Sequence, residues 1–163
     1  MPAPLEIAIA RLDELGGISD SADYLVRTFL SPASRLAAGR ISHWMADLGM
    51  EVSHTADGTL RGVLTGANPQ AAPLLLGSHY DTVVDGGKYD GPLGIIAALA
   101  ALENLREEKF VLPFPVHVLA FSDEEGTRFQ TTYLGSSGII GPLDEATLAA
   151  VDANGVTIAR AVA

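Results

Sequence analysis

Two short segments of the chain carry residue types that could bind metal ions and transfer protons. One segment contains His79 and Asp81 and is followed by Asp90; the other contains Glu124 and Glu125. Imidazole nitrogen and carboxylate oxygen are ligands that zinc, manganese and cobalt accept. Each segment follows an apolar run typical of a buried strand, and open α/β sheets bind their ligands at the carboxyl ends of strands. The pattern therefore predicts most of a two-metal hydrolase site.

The five residues suit different roles in such a site. It needs a carboxylate that bridges ions about 3.5–4 Å apart, further ligands, and a base that takes a proton from the attacking water. Asp90 is the predicted bridge, because it precedes a predicted helix whose dipole favours an ionised carboxylate. Asp81 can accept the second N–H of the His79 imidazole and fix its tautomer. Of the adjacent Glu124 and Glu125, one can bind metal while the other acts as the general acid–base.

Each feature also has a simpler interpretation. A His-x-Asp pair is commonly a surface or capping contact, Asp90 alone is typical of a helix N-cap, and residues 123–125 alone are typical of a solvated acidic loop. These interpretations require three coincidences at the strand ends of one βαβ unit, so the combination favours a site. The remaining histidines are predicted to be structural: His43, His54 and His117. A serine nucleophile is not favoured, because Ser136 and Ser137 have no apparent histidine partner.

The elements around these segments predict an α/β fold with a mostly parallel sheet flanked by helices. Apolar runs at 74–77 and 116–121 predict two strands, joined by a helix from Pro92 to about Leu105. An Asp-Gly turn between residues 50–54 and 60–64 predicts a hairpin added on the N-terminal side. Further helices are predicted at 6–15, 31–48, 134–140 and 144–151, and an apolar helical pattern from Thr157 runs to the end without a capping residue.

Composition limits the classes of partner. The chain has 163 residues, 48% of them apolar, which is enough for one buried core. A net charge of −10 argues against nucleic acid and anionic membranes as partners. No apolar run approaches the roughly 20 residues of a membrane span, and the first residues do not resemble a secretory signal, so a cytoplasmic protein is expected. Because the chain contains no cysteine, any metal must be held by His, Asp or Glu.

At these motifs the sequence resembles the M20-type metal-dependent amidohydrolases, in the branch of allantoate amidohydrolase, N-carbamoyl-L-amino-acid hydrolase, ureidoglycolate hydrolase and β-alanine synthase. The similarity runs from about Ser31 to the last residue, and its most specific parts are residues 77–82, 87–94, 121–130 and 133–136. The resemblance implies two divalent ions, zinc or manganese. It implies that His79 and Asp90 hold one ion and that Asp90 and Glu125 hold the other. Glu124 is then the general base.

The resemblance also implies a reaction and a domain organisation. The expected reaction is hydrolysis of a linear ureido or carbamoyl C–N bond, with allantoate giving ureidoglycine, ammonia and carbon dioxide. N-carbamoyl-L-amino acids are the alternative substrates. Members of the branch are longer homodimers, so residues 1–163 are expected to be the N-terminal portion of a truncated zinc-peptidase-like catalytic domain. The inserted dimerisation domain and the remaining ligands and substrate-binding residues would be absent. A second alternative is therefore an inactive fragment that binds metal weakly or self-associates.

Overall fold

The computed structural model describes residues 4–163, which form a four-stranded sheet and six helices. The predicted helices and strands are present, with bounds that differ by a few residues. In chain order they are α1 (Pro4–Gly16), α2 (Pro32–Asp47), β1 (Glu51–His54), β2 (Leu60–Leu64), β3 (Leu74–His79), α3 (Pro92–Glu107), β4 (Val116–Phe121), α4 (Leu134–Ile140), α5 (Glu145–Leu148) and α6 (Ile158–Ala161).

The sheet has the strand order β1-β2-β4-β3. Strands β3 and β4 are parallel and form the predicted βαβ unit with α3. The α/β class is confirmed, but the described sheet is mixed rather than mostly parallel. The reason is that the hairpin joins it directly: β2 pairs antiparallel with both β1 and β4. The predicted turn closes this hairpin, and Gly58 adopts the positive φ of 86° that an Asp-Gly turn requires.

The main core lies on one face of the sheet, between the strands and the first three helices. Alternate residues of β4 point into it, as expected for a strand with one buried face. The buried cluster includes Leu12, Leu15, Ala37, Ile41, Met45, Leu60, Ile95, Ile96, Leu99, Val116, Val118 and Ala120. The opposite face is more open at the edge strand β3, where the Leu75 side chain is 55% exposed.

Local signals fix the ends of two helices in this core. Ser31 caps α2 as predicted: its Oγ accepts the N–H of Ser34 at 3.0 Å, and Pro32 occupies the first turn. Helix α3 begins at Gly91-Pro92, so its N-terminus directly follows Asp90. The backbone thereby places a predicted metal ligand at the entry to α3.

A smaller core lies beside the segment after β4. Phe29, Phe129, Leu134 and Ile158 are buried together, and the rings of Phe29 and Phe129 meet edge to face at 5.9 Å. This cluster attaches α4 and α6 to the rest of the fold. Within residues 4–163, no helix combines the length and the apolar character needed to cross a bilayer.

Candidate metal centre

The parallel pairing of β3 and β4 brings the two chemical segments together. His79 is in register with Phe121, and the pairing continues one residue further, where the Tyr80 N–H donates to the Phe121 carbonyl at 3.0 Å. The segments that follow both strands therefore leave the sheet at the same end. This is the position that the sequence predicts for the site.

Three of the predicted side chains converge there, and Asp90 lies beside one of them. Ligand atoms of His79, Glu124 and Glu125 all lie within 4.8 Å of one another. Nε2 of His79 is 3.7 Å from Oδ1 of Asp90. Two ligands on one tetrahedral zinc ion are separated by roughly 3.4 Å for typical bond lengths. The donor types and spacings of these residues therefore fit a divalent metal ion.

Asp81 lies beneath this group and connects its parts. Its side chain is 1% exposed, and its two oxygens accept the backbone N–H groups of Glu124 at 3.0 Å and Glu125 at 3.1 Å. Nδ1 of His79 is 3.2 Å from Asp81 Oδ1 and 3.2 Å from the Asp81 carbonyl. When Nδ1 donates to Asp81, Nε2 keeps its lone pair on the side of Asp90. One buried carboxylate thus contacts the imidazole and holds the backbone of both glutamates.

Asp90 is placed differently from the simpler interpretation of the sequence. Gly91, with φ 84°, is the N-cap of α3, so Asp90 does not cap the helix. The Asp90 side chain is 69% exposed and near His79. Its turn is held from below, because Ser78 Oγ donates to the Gly91 carbonyl at 2.8 Å. Asp90 is therefore available to a ligand, and the end of β3 fixes the turn that carries it.

Charge and burial shift the proton affinities of this cluster. Burial lowers the pKa of His79, but the hydrogen bonds and the charge of Asp81 oppose this effect and raise that pKa above its usual value. Burial and the neighbouring Glu124 charge raise the pKa of Glu125. Burial, together with the charges of Asp81, Glu124 and Glu125, raises the pKa of Asp123 to about 7. An excess of carboxylates at one place disfavours their ionisation and is relieved by a bound cation.

Asp123 is a residue whose importance the sequence pattern does not reveal. It is 2% exposed, so the segment 123–125 is not a solvated acidic loop, and its Oδ2 has no hydrogen-bond partner. The pattern identifies Glu124 and Glu125 because they follow a strand, whereas nothing in it indicates that Asp123 points inward. The role of Ser78 in holding the Asp90 turn is not visible in the sequence either, because its bond to the Gly91 carbonyl depends on how α3 packs.

The other three histidines lie in contacts away from this centre. His43 is paired with Asp47 on α2 at 3.4 Å, and His54 contacts Ser42 at 3.2 Å. Nδ1 of His117 is 3.3 Å from an Arg61 guanidinium nitrogen. Structural roles for all three agree with these contacts.

The profile of peptidase family M20/M25/M40 matches residues 75–159. This range includes the candidate metal centre, from His79 to Glu125. The chain belongs to this family. The matched segment contains β3, α3, β4 and the loop with the two glutamates, so the family assignment rests on the elements that form the candidate centre.

The chain is also similar to individual members of the family. It is 50% identical over 153 residues to allantoate deiminase 2 from Glycine max, covering 93% of this chain and 32% of that protein. It is 36% identical over 153 residues to an N-carbamoyl-L-amino acid amidohydrolase from Geobacillus stearothermophilus, covering 93% of this chain and 37% of that protein.

Solved structures show the same architecture. A hydantoinase/carbamoylase family amidase from Burkholderia ambifaria superimposes with a TM-score of 0.88 at 33% identity, covering 96% of this chain and 39% of that chain. This similarity confirms the predicted fold class and the resemblance seen in the motifs. The chain spans about a third of the length of the curated relatives it matches.

Proposed function

We propose that this chain supplies one wall of a two-metal amidohydrolase centre that hydrolyses a linear ureido or carbamoyl C–N bond. The observation that carries the proposal is the convergence of His79, Glu124 and Glu125 around the buried Asp81, with Asp90 next to His79. His79 and Asp90 would hold one ion, and Asp90 and Glu125 would hold the second. The exposed carboxylate of Asp90 suits a bridging role.

Zinc or manganese bound here would lower the pKa of a water molecule and polarise the ureido carbonyl. Glu124 is the proposed general base. It accepts a proton from the attacking water and returns it to the nitrogen that leaves when the C–N bond breaks. The carbamate that is released decomposes to ammonia and carbon dioxide.

Allantoate is the proposed substrate, with ureidoglycine as the product. Four allantoate deiminases from plants share 46–50% identity with this chain, whereas the N-carbamoyl-L-amino acid amidohydrolase from Geobacillus stearothermophilus shares 36%. N-carbamoyl-L-amino acids are therefore the second candidate substrates. Both are small molecules, and the net charge of −10 gives no support for a nucleic-acid partner.

The proposal assigns residues 1–163 to the N-terminal portion of a larger catalytic domain in a cytoplasmic homodimer. Two facts support the assignment to a larger catalytic domain. The chain covers about a third of its relatives, and its residues offer each ion two ligands, whereas a catalytic zinc site usually has three. By itself the chain would then bind metal weakly and hydrolyse little substrate.

The test combines metal binding with a chimera. Residues 1–163 replace the corresponding third of the Glycine max allantoate deiminase 2, and ammonia release is measured with allantoate and with N-carbamoyl amino acids. We expect turnover of allantoate by the chimera, and at least a 100-fold loss of kcat when it carries Glu124→Gln. Titration of the 163-residue chain with Zn²⁺ should give binding that His79→Ala weakens. Binding that is unaffected by His79→Ala would refute the proposed centre.

A further inference from the structure

Arg27 is a fully buried arginine in the connection between α1 and α2, outside every motif of the site. Its side chain is 0% exposed and is bonded to three main-chain carbonyls. Nη1 donates to Leu15 at 2.8 Å and to Ile18 at 2.9 Å, at the end of α1. Nε donates to Tyr80 at 2.5 Å, in the segment that follows β3. The guanidinium therefore joins the end of α1 to the peptide that immediately precedes Asp81.

The main chain of Arg27 is bonded on the other side of Asp81. The Arg27 N–H donates to Thr82 Oγ1 at 2.9 Å, and the Thr82 N–H donates to the Arg27 carbonyl at 3.0 Å. Arg27 thus binds both neighbours of Asp81, Tyr80 through its side chain and Thr82 through its backbone. Arg27 therefore holds the backbone on both sides of Asp81, from which the carboxylate projects.

The charge of Arg27 also suits this place. A buried guanidinium is costly unless an opposite charge and hydrogen bonds compensate it. Burial lowers the pKa of Arg27, and the Asp81 charge opposes that effect. The Asp81 charge therefore offsets part of the cost of burying the guanidinium.

We propose that Arg27 is a positioning residue of the metal centre. It holds Asp81 at the point where that carboxylate orients His79, Glu124 and Glu125, and so couples the end of α1 to the geometry of the site. The positioning is a property of the metal-free chain; only its consequence for metal affinity rests on the proposed function. A purely structural Arg27 would instead support α1 without affecting the groups around Asp81.

The experiment compares Arg27→Lys with Arg11→Lys in the metal-free 163-residue chain. Lysine has a single side-chain nitrogen and cannot reproduce the three bonds of the Arg27 guanidinium. Arg11 is the matched control, because it is also a largely buried arginine that pairs with Glu103 at 2.8 Å, on α1 and α3. Nuclear magnetic resonance follows the amide protons of Glu124 and Glu125 and the imidazole nitrogens of His79.

We expect Arg27→Lys to move all three sets of resonances, because a displaced Asp81 lengthens the bonds that its carboxylate accepts from Glu124, Glu125 and His79. Arg11→Lys should leave these resonances in place. Zn²⁺ affinity, measured by competition with a chromophoric chelator, should fall about 10-fold in Arg27→Lys and be unchanged in Arg11→Lys. Equal effects of the two variants, or unmoved resonances in Arg27→Lys, would overturn the proposal. If the wild-type chain binds no Zn²⁺, the proposed function fails, while the resonances still decide the role of Arg27.

Thr82→Val provides a second and milder variant. It keeps the side-chain shape but removes the Oγ1 that accepts the Arg27 N–H. We expect the Glu124 and Glu125 amides to move in the same direction as in Arg27→Lys, by a smaller amount. Should both variants fail to fold, Arg27 is a folding residue and the proposal is wrong.

Discussion

Gly91 lies so close to the His79 imidazole that a β-carbon at position 91 would come within 2.5 Å of the ring. Gly91 also has a φ of 84°, a conformation that residues with a β-carbon rarely adopt. The turn that carries Asp90 therefore rests directly on the imidazole. The distance between two proposed metal ligands is set by the absence of a side chain between them.

The variant Gly91→Ala should disturb both the fold and the centre. The clash with His79 and the positive φ together should lower the free energy of unfolding by about 2–4 kcal/mol. Displacement of His79 should also weaken Zn²⁺ binding. Gly87→Ala is the control in the same loop, because a β-carbon there would meet no atom within 4 Å. Urea unfolding and Zn²⁺ titration of both variants check this, and equal behaviour of the two would contradict it.

The variant Asp81→Asn should separate the loop of glutamates from the histidine. An amide group has only one acceptor oxygen, so its NH₂ would face one of the two backbone N–H groups that Asp81 now accepts. We expect a loss of about 2–3 kcal/mol in the free energy of unfolding and a 10–100-fold loss of Zn²⁺ affinity. The pKa of His79 should fall, because Asp81 raises it. Chemical denaturation, Zn²⁺ titration and a pH titration of His79 by nuclear magnetic resonance measure the three effects.

Asp152→Asn is the matched control for Asp81→Asn. Asp152 is also a buried carboxylate: it accepts the N–H groups of Asn154 and Val156 and pairs with Arg128 at 2.9 Å, in the loop between α5 and α6. Its replacement should lower stability while Zn²⁺ affinity stays constant. A parallel loss of affinity in Asp152→Asn would mean that general destabilisation, rather than Asp81, explains the effect.

Much of the fold was predictable because local signals and the energetics of burial agree. The Ser31-Pro32 start of α2, the Asp-Gly hairpin and the two apolar strands all lie close to their predicted positions. The mixed character of the sheet was not predictable, because the sequence of β2 carries no local signal for its partner strand. The pairing of β2 with β4 depends on long-range packing of the core.

The site was predictable to the extent that its residues follow strands. His79 and the two glutamates could be placed together because parallel strands end at one edge of a sheet. Arg27 could not be placed there from sequence, since its bond to the Tyr80 carbonyl joins residues 53 positions apart and leaves no pattern. The inward orientation of Asp123 depends on the same packing.

Glu124 and Glu125 should respond differently to removal of their charge. If Glu125 is the ligand and Glu124 the base, Glu125→Gln should weaken Zn²⁺ binding by about 10-fold or more, and Glu124→Gln should change it less than about 3-fold. Glu124→Gln should also lower the pKa of Glu125, because the Glu124 charge raises it. Glu145→Gln in α5 removes one charge elsewhere and serves as the control in the same titrations. The reverse order of the two affinities would exchange the proposed roles.

Asp123 should make the metal-free chain less stable as the pH rises. Its pKa is raised from 3.8 to about 7 in the folded chain, so at intermediate pH the folded state holds a proton that the unfolded state has released. The free energy of unfolding then decreases with increasing pH up to about 7. Asp123→Asn removes this dependence, so relative to wild type it should gain about 2 kcal/mol between pH 5.5 and pH 8. Urea unfolding with a chelator present, at pH values above the isoelectric point of about 4.6, measures the difference. Asp152→Asn is again the control. The pKa of Asp152 is lowered, so the contribution of this carboxylate to the free energy of unfolding is constant over this pH range. The plot of unfolding free energy against pH for Asp152→Asn should therefore run parallel to that of the wild type. A constant difference between Asp123→Asn and wild type would show that Asp123 is ionised throughout.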